Sequence, residues 1–210
     1  MSSAKPTLLP LECPTRYYPD FLAPHDSAEL FEWIRMESGV PDAREITLAD
    51  GSTFVQETGK LMFVDPVLTD HDVFSAAHGR RIAWPPVVVP LRDRIEKLTG
   101  MEFSVCVCIY YPDGKASAGF HFDPPAFGPT TVIPSISLGA KRKFQIRRQE
   151  DHSDEYGIEL ADGSLLIMGE GFQNLYEHSV PVAEECWTPR INLTFRPFEW
   201  PTGFQRDSRL

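Results

Sequence analysis

The sequence lacks the features that define several large protein classes. None of its apolar runs approaches the roughly 20 residues needed to span a membrane, because Asp, Pro or Gly interrupts each candidate. Four cysteines in 210 residues are too few for a disulfide framework. Basic residues number 20 against 30 acidic ones, so the net charge of −10 gives no overall attraction for a phosphate backbone.

Signals for targeting and for common nucleotide sites are missing as well. The apolar patch near the start, in MSSAKPTLLPLECP, is too short for a signal-peptide core. There is no phosphate-binding G-x-x-x-x-G-K-S/T, no hydrolase G-x-S-x-G, and no third glycine to complete a dinucleotide fingerprint after Gly169 and Gly171. We expect a cytoplasmic protein without a membrane segment, and a monomer is the default expectation.

Aromatic residues and proline are plentiful. The 14 Phe, 6 Tyr and 4 Trp residues suffice for a substantial core, and 19 prolines lie between short apolar runs, which is typical of a globular fold rich in strands and loops. Apolar spacing predicts two amphipathic helices, Ser27–Met36 and Pro86–Leu98, with Gly100 as the stop of the second.

Short β runs dominate after residue 100. Turn signals separate them at close intervals without helical patterns between, which favours antiparallel sheets. We predict strands at Phe103–Tyr111, Gly119–Phe122, Val132–Leu138, Lys143–Arg148, Ser164–Met168 and Ile191–Phe195. The expected fold is mainly β with flanking helices (α+β), a double-stranded β-helix or jelly roll with a helical N-terminal buttress. Residues 1–100 would form the helical extension or substrate lid and 101–200 the catalytic core, within one compact domain.

Two pairs of chemically active side chains stand in β runs at a spacing of two. Cys106 and Cys108 would share one face of a strand, where packing in the core is favoured over a soft metal site. His121 and Asp123 would likewise project together. Two histidines and one carboxylate make the facial triad of non-haem Fe(II), whereas an isolated His-x-Asp is more often a surface pair.

A third ligand would have to come from another histidine. His178 follows the β run GSLLIMGEG and precedes RINLTF, so it falls on the far side of the predicted barrel. The other four histidines stand in acidic or turn-like settings and are expected to be solvated: His25, His71, His78 and His152.

The string RINLTFR alternates polar and apolar side chains. Arg190, Asn192, Thr194 and Arg196 would share one face of a strand, opposite three apolar residues. Two buried guanidinium groups need anionic partners, and a dicarboxylate would supply them through bidentate pairing. The alternative is an edge strand whose arginines face water.

With these motifs in order, residues 84–198 resemble the AlkB-like Fe(II)/2-oxoglutarate dioxygenases, in particular the branch that repairs alkylated nucleic acid. The resemblance rests on WPPVVVPLRDRIEKLTG, YYPDG, HFD, SLGAKRKFQIR, GSLLIM, EHSVP and RINLTFR. It implies that His121, Asp123 and His178 hold iron, and that 2-oxoglutarate and O₂ are co-substrates. It also implies that Arg190 and Tyr111 bind the distal carboxylate of 2-oxoglutarate, and that Asn192 and Arg196 help to hold the co-substrate near the metal.

The sequence departs from the pattern of that family at two positions. Ile109 stands where the family commonly has an Asn that helps to bind 2-oxoglutarate, and Ile cannot hydrogen-bond through its side chain. Pro124 and Pro125 follow the metal-binding Asp where the repair branch has an acidic pair that contacts the damaged base. The loop PPAFGPTTVIP is instead stiff and apolar, which suits a hydrophobic substrate.

The segment KRKFQIRR is the strongest signal for nucleic acid. Lys141, Lys143 and Arg147 would share a strand face and could follow the phosphates of a single strand, unless the acidic EDHSDE segment folds back and neutralises them. We therefore expect an oxygenase that hydroxylates or dealkylates alkylated nucleobases. The alternatives are the same chemistry on an apolar small molecule or protein side chain, and a non-catalytic binding module.

Overall fold

The architecture consists of two larger β-sheets, a small hairpin and flanking helices. The computed structural model describes residues 5–47, 50–71, 74, 78–126, 128–152 and 155–200. The helices are α1 Pro24–Met36, α2 Val89–Thr99 and the short α3 Phe172–Leu175, with a 3-10 turn at Pro66–Leu68. The strands are β1 Thr7–Leu8, β2 Thr15–Tyr18, β3 Arg44–Thr47, β4 Thr53–Gln56, β5 Gly59–Val64, β6 Arg80–Ala83, β7 Val105–Tyr111, β8 Ala118–His121, β9 Ile133–Gly139, β10 Arg142–Arg148, β11 Glu155–Leu160, β12 Ser164–Met168, β13 Tyr176–Val180 and β14 Arg190–Arg196.

The two sheets form the predicted double-stranded β-helix. The larger sheet has the strand order β1-β2-β12-β9-β14-β7-β5-β6, and the smaller one β11-β10-β13-β8. Neighbouring strands are antiparallel throughout except for the parallel pair β5–β6. One apolar cluster draws on both sheets, for example Leu166 and Met168 from β12 with Phe144 and Ile146 from β10, so the sheets pack face to face. These observations confirm a mainly β fold of jelly-roll type.

The helices cover the other face of the larger sheet. Leu30 and Ile34 of α1 and Leu91 and Ile95 of α2 belong to one buried cluster with outward-facing strand residues of that sheet. Helix α1 begins at Pro24, earlier than predicted, because proline suits a first helical turn. Helix α2 begins later, at Val89, since residues 86–88 form a turn on the Pro85 carbonyl. Gly100 ends α2 with φ of 72°, as expected of a C-terminal glycine.

The region before residue 101 contributes six strands that the sequence analysis missed. Strands β1, β2, β5 and β6 extend the larger sheet, and β3 pairs with β4 as a separate hairpin. Strand β5 is an almost continuous apolar run, for which periodicity does not distinguish a strand from a buried helix. The prediction of a helical extension over residues 1–100 is therefore incomplete. The boundary at residue 100 between extension and catalytic core stays a prediction. No helix among the described residues is long and apolar enough to cross a membrane.

Candidate active site

Neighbouring strands β8 and β13 of the smaller sheet bring His121 and His178 together, rather than opposite sides of the barrel as predicted, and Asp123 follows shortly after β8. His121 is the last residue of β8 and lies directly opposite His178 of β13, so their rings meet with centroids 4.4 Å apart. One ligand atom from each of the three side chains lies within 4.8 Å of the others. A single metal ion can therefore contact all three residues, as the sequence motif anticipated.

The two imidazoles are held in different ways. The Nδ1 of His121 lies 2.7 Å from the Gly119 carbonyl oxygen, which can only accept, so Nδ1 donates and Nε2 keeps its lone pair. His178 is 6% exposed and stacks on Phe144, with ring centroids 5.1 Å apart. Burial lowers the pKa of His178 to about 4, against an opposing effect of Asp123. At neutral pH the His178 ring is uncharged, the state in which imidazole binds metal.

Strand alternation does not place Asp123. Strand β8 ends at His121, one residue earlier than predicted, so Asp123 lies in the irregular segment that follows. Its backbone N–H donates to the Gln173 Oε1 at 2.8 Å, and its carboxylate lies 3.6 Å from Arg196. Arg196 also donates to the Pro124 carbonyl at 2.6 Å. Side chains from α3 and β14 therefore position the carboxylate.

Gln173 is a site residue that sequence reasoning missed. It is 5% exposed on the single turn of α3, directly before the strand that carries His178. No spacing signal marks it, because it lies 50 residues from Asp123 along the chain.

Arg190 is fully buried and carries unused donors. Its Nη2 donates to the Ser137 hydroxyl at 2.9 Å and to Asn192 Oδ1 at 2.7 Å, while Nε and Nη1 have no hydrogen-bond partner among the described residues. No ion pair joins it to a described carboxylate. Burial lowers the pKa of Arg190, an effect that Tyr111 opposes. Such a cation favours an anionic ligand, because unpaired buried charge is costly.

Tyr111 and Asn192 flank Arg190. The Arg190 guanidinium lies 5.1 Å from the centroid of the Tyr111 ring, and β14 pairs Arg190 directly with Tyr111. Burial raises the pKa of the Tyr111 hydroxyl, so this group remains a hydrogen-bond donor at neutral pH. Asn192 donates to the Thr194 hydroxyl at 2.7 Å. The predicted alternation of β14 is observed, since Ile191, Leu193 and Phe195 pack in the opposite cluster.

Arg142 is a second buried arginine near Tyr111, and the sequence analysis did not single it out. It is 2% exposed and donates to four backbone carbonyls. These belong to Asp113, Gly114, Ala116 and Pro181. Arg142 thereby ties the β7–β8 connection, which leads to His121, to the residue that follows β13.

A cavity of about 450 Å³ lies between the sheets. Its walls hold both histidines and Asp123 together with Tyr111 and Asn192. Its apolar lining includes Ile109, Phe120, Phe144, Met168 and Val180. A separate part of the wall comes from the region before residue 101, through Gln56, Thr58 and Lys60. The cavity thus places room for a ligand beside the three candidate metal ligands.

Comparison with known proteins identifies the family. The family model described as 2OG-Fe(II) oxygenase superfamily matches residues 14–196. The chain belongs to this superfamily. The chain is 38% identical over 122 residues to the human alpha-ketoglutarate-dependent dioxygenase alkB homolog 3, covering 54% of this chain and 43% of that protein. It is 34% identical over 121 residues to the mouse DNA oxidative demethylase ALKBH2, covering 54% and 51%. The chain spans about half the length of these curated relatives.

A solved structure supports the fold. The structure of OsALKBH1 superposes with a TM-score of 0.60, covers 91% of this chain and 100% of that chain, and is 17% identical in sequence. At that identity the likeness concerns the fold alone. It agrees with the sheet architecture described above.

The residues present fit the co-substrates of the 2OG-Fe(II) oxygenase superfamily. The superfamily uses Fe(II), 2-oxoglutarate and O₂, and two imidazoles with one carboxylate are the donor set that leaves open positions on Fe(II). The unpartnered Nε and Nη1 of buried Arg190 match a carboxylate in charge and hydrogen bonding. Arg190 can therefore pair with a carboxylate of an anionic co-substrate.

The basic strand β10 lies among acidic residues. In the β10–β11 register Lys143 pairs with Glu159 and Arg147 with Glu155, and Arg147 also forms an ion pair with Glu177 of β13. Acidic residues therefore lie opposite basic side chains of β10, as in the alternative to phosphate contact, although Glu159 and Glu177 stand outside the acidic segment that the sequence analysis named. Segment 150–155 enters this pairing only through Glu155, and residues 153 and 154 lie outside the described residues.

The other four histidines lie apart from the metal-ligand group. His25 and His152 are exposed, as expected. His71 and His78 are partly buried, contrary to the expectation of full solvation. The ring of His71 packs edge-on against Trp200 with centroids 5.1 Å apart.

Proposed function

We propose that the protein is an AlkB-like Fe(II)/2-oxoglutarate-dependent dioxygenase that hydroxylates or oxidatively dealkylates its substrate. The observation that carries the proposal is the convergence of His121, Asp123 and His178 within 4.8 Å, at a cavity of about 450 Å³. Bound Fe(II) with 2-oxoglutarate and O₂ would supply the oxidation of a C–H bond, while 2-oxoglutarate becomes succinate and CO₂.

In this proposal each site residue has a distinct task. His121, Asp123 and His178 hold the metal, and the two histidines bind as neutral rings. Arg190 pairs with the distal carboxylate of 2-oxoglutarate through donors that have no described partner, and Tyr111 donates its hydroxyl to the same end. Asn192 keeps Arg190 in place through its Oδ1, and Arg196 holds the Asp123 turn.

We further propose N-alkylated nucleobases in DNA or RNA as the substrate class. The support comes from the relatives, since one is named a DNA oxidative demethylase. Hydroxylation of an N-methyl group gives a hydroxymethyl group, which leaves as formaldehyde. The sequence of the loop after Asp123 bears on the mode of base recognition, because Pro124 and Pro125 offer no acceptor side chain for an exocyclic amino group.

Succinate formation from 2-oxoglutarate tests the proposal. We expect Fe(II)-dependent succinate that increases when single-stranded DNA with N-methylated adenine or cytosine is added, with loss of the methyl group. Unmethylated DNA of the same sequence is the control. Absence of Fe(II)-dependent succinate under every condition would contradict the oxygenase assignment. Succinate that does not respond to methylated DNA or RNA would contradict only the substrate.

The apolar lining favours a second candidate substrate. Ile109, Phe144 and Met168 line the cavity, and the loop after Asp123 begins with two prolines. The same oxygenase chemistry would then act on an apolar small molecule or a protein side chain. A screen of such compounds for stimulation of succinate formation distinguishes this candidate from the nucleic-acid substrate.

A further inference from the structure

The wall of the cavity contains a lysine, Lys60, directly opposite the apolar Ile109. Ile109 lies on the central strand β7, and in the β5–β7 register it faces Lys60 directly. In the β14–β7 register Ile109 also faces Asn192. Lys60, Ile109 and Asn192 therefore form one row across three adjacent strands.

The row faces the cavity. All three residues contribute to the cavity wall, so their side chains lie on the same side of the sheet. Residues directly opposite each other in antiparallel strands have Cβ atoms about 4.5–5.5 Å apart. The four-carbon stem of a lysine spans such a separation easily. The ammonium group of Lys60 can therefore reach the space in front of Ile109.

Along β14 the row lies between Arg190 and the end of the strand that contacts a candidate metal ligand. Along β14 the residues on one strand face run from Arg190 through Asn192 and Thr194, which line the cavity, to Arg196, which lies 3.6 Å from Asp123. The row of Lys60, Ile109 and Asn192 therefore crosses β14 between Arg190 and the arginine that contacts Asp123.

Lys60 brings a positive charge to the cavity wall. Among the described residues of the lining, Lys60 is the only Lys or Arg, and Asp123 is the only Asp or Glu. 2-Oxoglutarate carries two negative charges. A flexible ammonium group with three donors can pair with a carboxylate without the fixed geometry of a guanidinium group.

We propose that Lys60 binds a carboxylate of 2-oxoglutarate and supplies the donor that Ile109 cannot. The inference rests on the proposed function, since it assigns a residue to the co-substrate of that reaction. It makes Lys60, from the region before the metal-binding strands, part of the co-substrate site.

Calorimetric titration of 2-oxoglutarate into Mn(II)-loaded protein tests this role without turnover. We expect Lys60→Met to raise the Kd of 2-oxoglutarate about 10-fold or more, because a charge-assisted contact is lost. The affinity for Mn(II) alone should not change. Lys97→Met is the matched control, since Lys97 is exposed on α2, and its Kd should equal that of the wild type.

A second substitution tests whether Lys60→Met lowers the affinity through the lost hydrogen-bond donor or through a general disturbance of the site. Ile109→Asn in the Lys60→Met background restores an amide donor in the same row, and we expect it to recover most of the lost affinity. Lys60→Gln supplies a second neutral variant, and circular dichroism establishes that each variant is folded.

The outcomes distinguish the two proposals. An unchanged Kd in folded Lys60→Met and Lys60→Gln overturns the role of Lys60, as does a loss confined to the binding of methylated DNA. If the wild-type Mn(II) protein itself does not bind 2-oxoglutarate, the proposed function fails before the variants are compared.

Discussion

Arg190 is the single residue whose environment most clearly calls for a ligand. It is fully buried, and two of its nitrogen atoms have no hydrogen-bond partner among the described residues. We expect Arg190→Ala to raise the 2-oxoglutarate concentration needed for half-maximal succinate formation by about 10- to 100-fold, equivalent to roughly 1.5–3 kcal/mol for a hydrogen bond to a charged group. The affinity for Fe(II) should be retained. An unchanged 2-oxoglutarate dependence would contradict the assignment.

The burial of individual cysteines predicts how reactive their thiols are. Cys106 and Cys108 are fully buried in the cluster that contains α1 and α2, as the packing interpretation predicted. Burial raises the pKa of both thiols, and it also raises that of buried Cys13. Raised pKa values keep these groups mainly as poorly reactive neutral thiols at pH 8.

A thiol-reactive disulfide reagent tests this expectation. At pH 8 we expect one fast equivalent in the native protein, from partly exposed Cys186, and three more only after unfolding in guanidinium chloride. Cys186→Ser should remove the fast phase. More than one fast thiol in the native wild type would show that the buried cysteines are more accessible than the structure indicates.

At the scale of elements, α3 connects two metal ligands. The helix precedes His178 on β13 and carries Gln173, whose Oε1 accepts the backbone N–H of Asp123 at 2.8 Å. We expect Gln173→Met, which removes the acceptor at similar volume, to weaken Co(II) or Fe(II) binding about 10- to 100-fold, the usual effect of losing an outer-shell contact. The Co(II) absorption bands in a titration report this affinity.

Two further variants control for a general loosening of α3. Gln173→Glu keeps an oxygen acceptor and should retain most of the affinity for metal. Asn174 is exposed on the same helix, so Asn174→Ala should leave the affinity unchanged. Equal metal affinity in Gln173→Met and the wild type would show that the contact with Asp123 does not position the ligand.

For the whole molecule, the site lies between two sheets, so a bound metal should stabilise the entire fold. A metal at 100 times its Kd adds about 2.7 kcal/mol to the free energy of unfolding. We expect Mn(II) to raise the Tm of the wild type and not that of Asp123→Ala, which should also lack Fe(II)-dependent succinate formation. A Tm increase of equal size in Asp123→Ala would place the metal elsewhere in the protein.

Local sequence patterns were enough to predict many of the strands and the three candidate metal ligands. Alternation in RINLTFR predicted which face of β14 is polar, and turn signals located β9, β10 and β12 within about two residues. The His-x-Asp motif with His178 indicated the three residues that the structure brings within 4.8 Å. These features were readable because strand faces and turns depend on neighbouring residues.

Tertiary structure decided the features that depend on pairing between distant segments. The sequence does not show that Gln173 holds Asp123, that Arg142 ties loops together, or that Lys60 stands opposite Ile109. It also gave no sign that β5 and β6 extend the larger sheet. The register between strands fixes such contacts, and register arises from packing of the whole core rather than from any local run of residues.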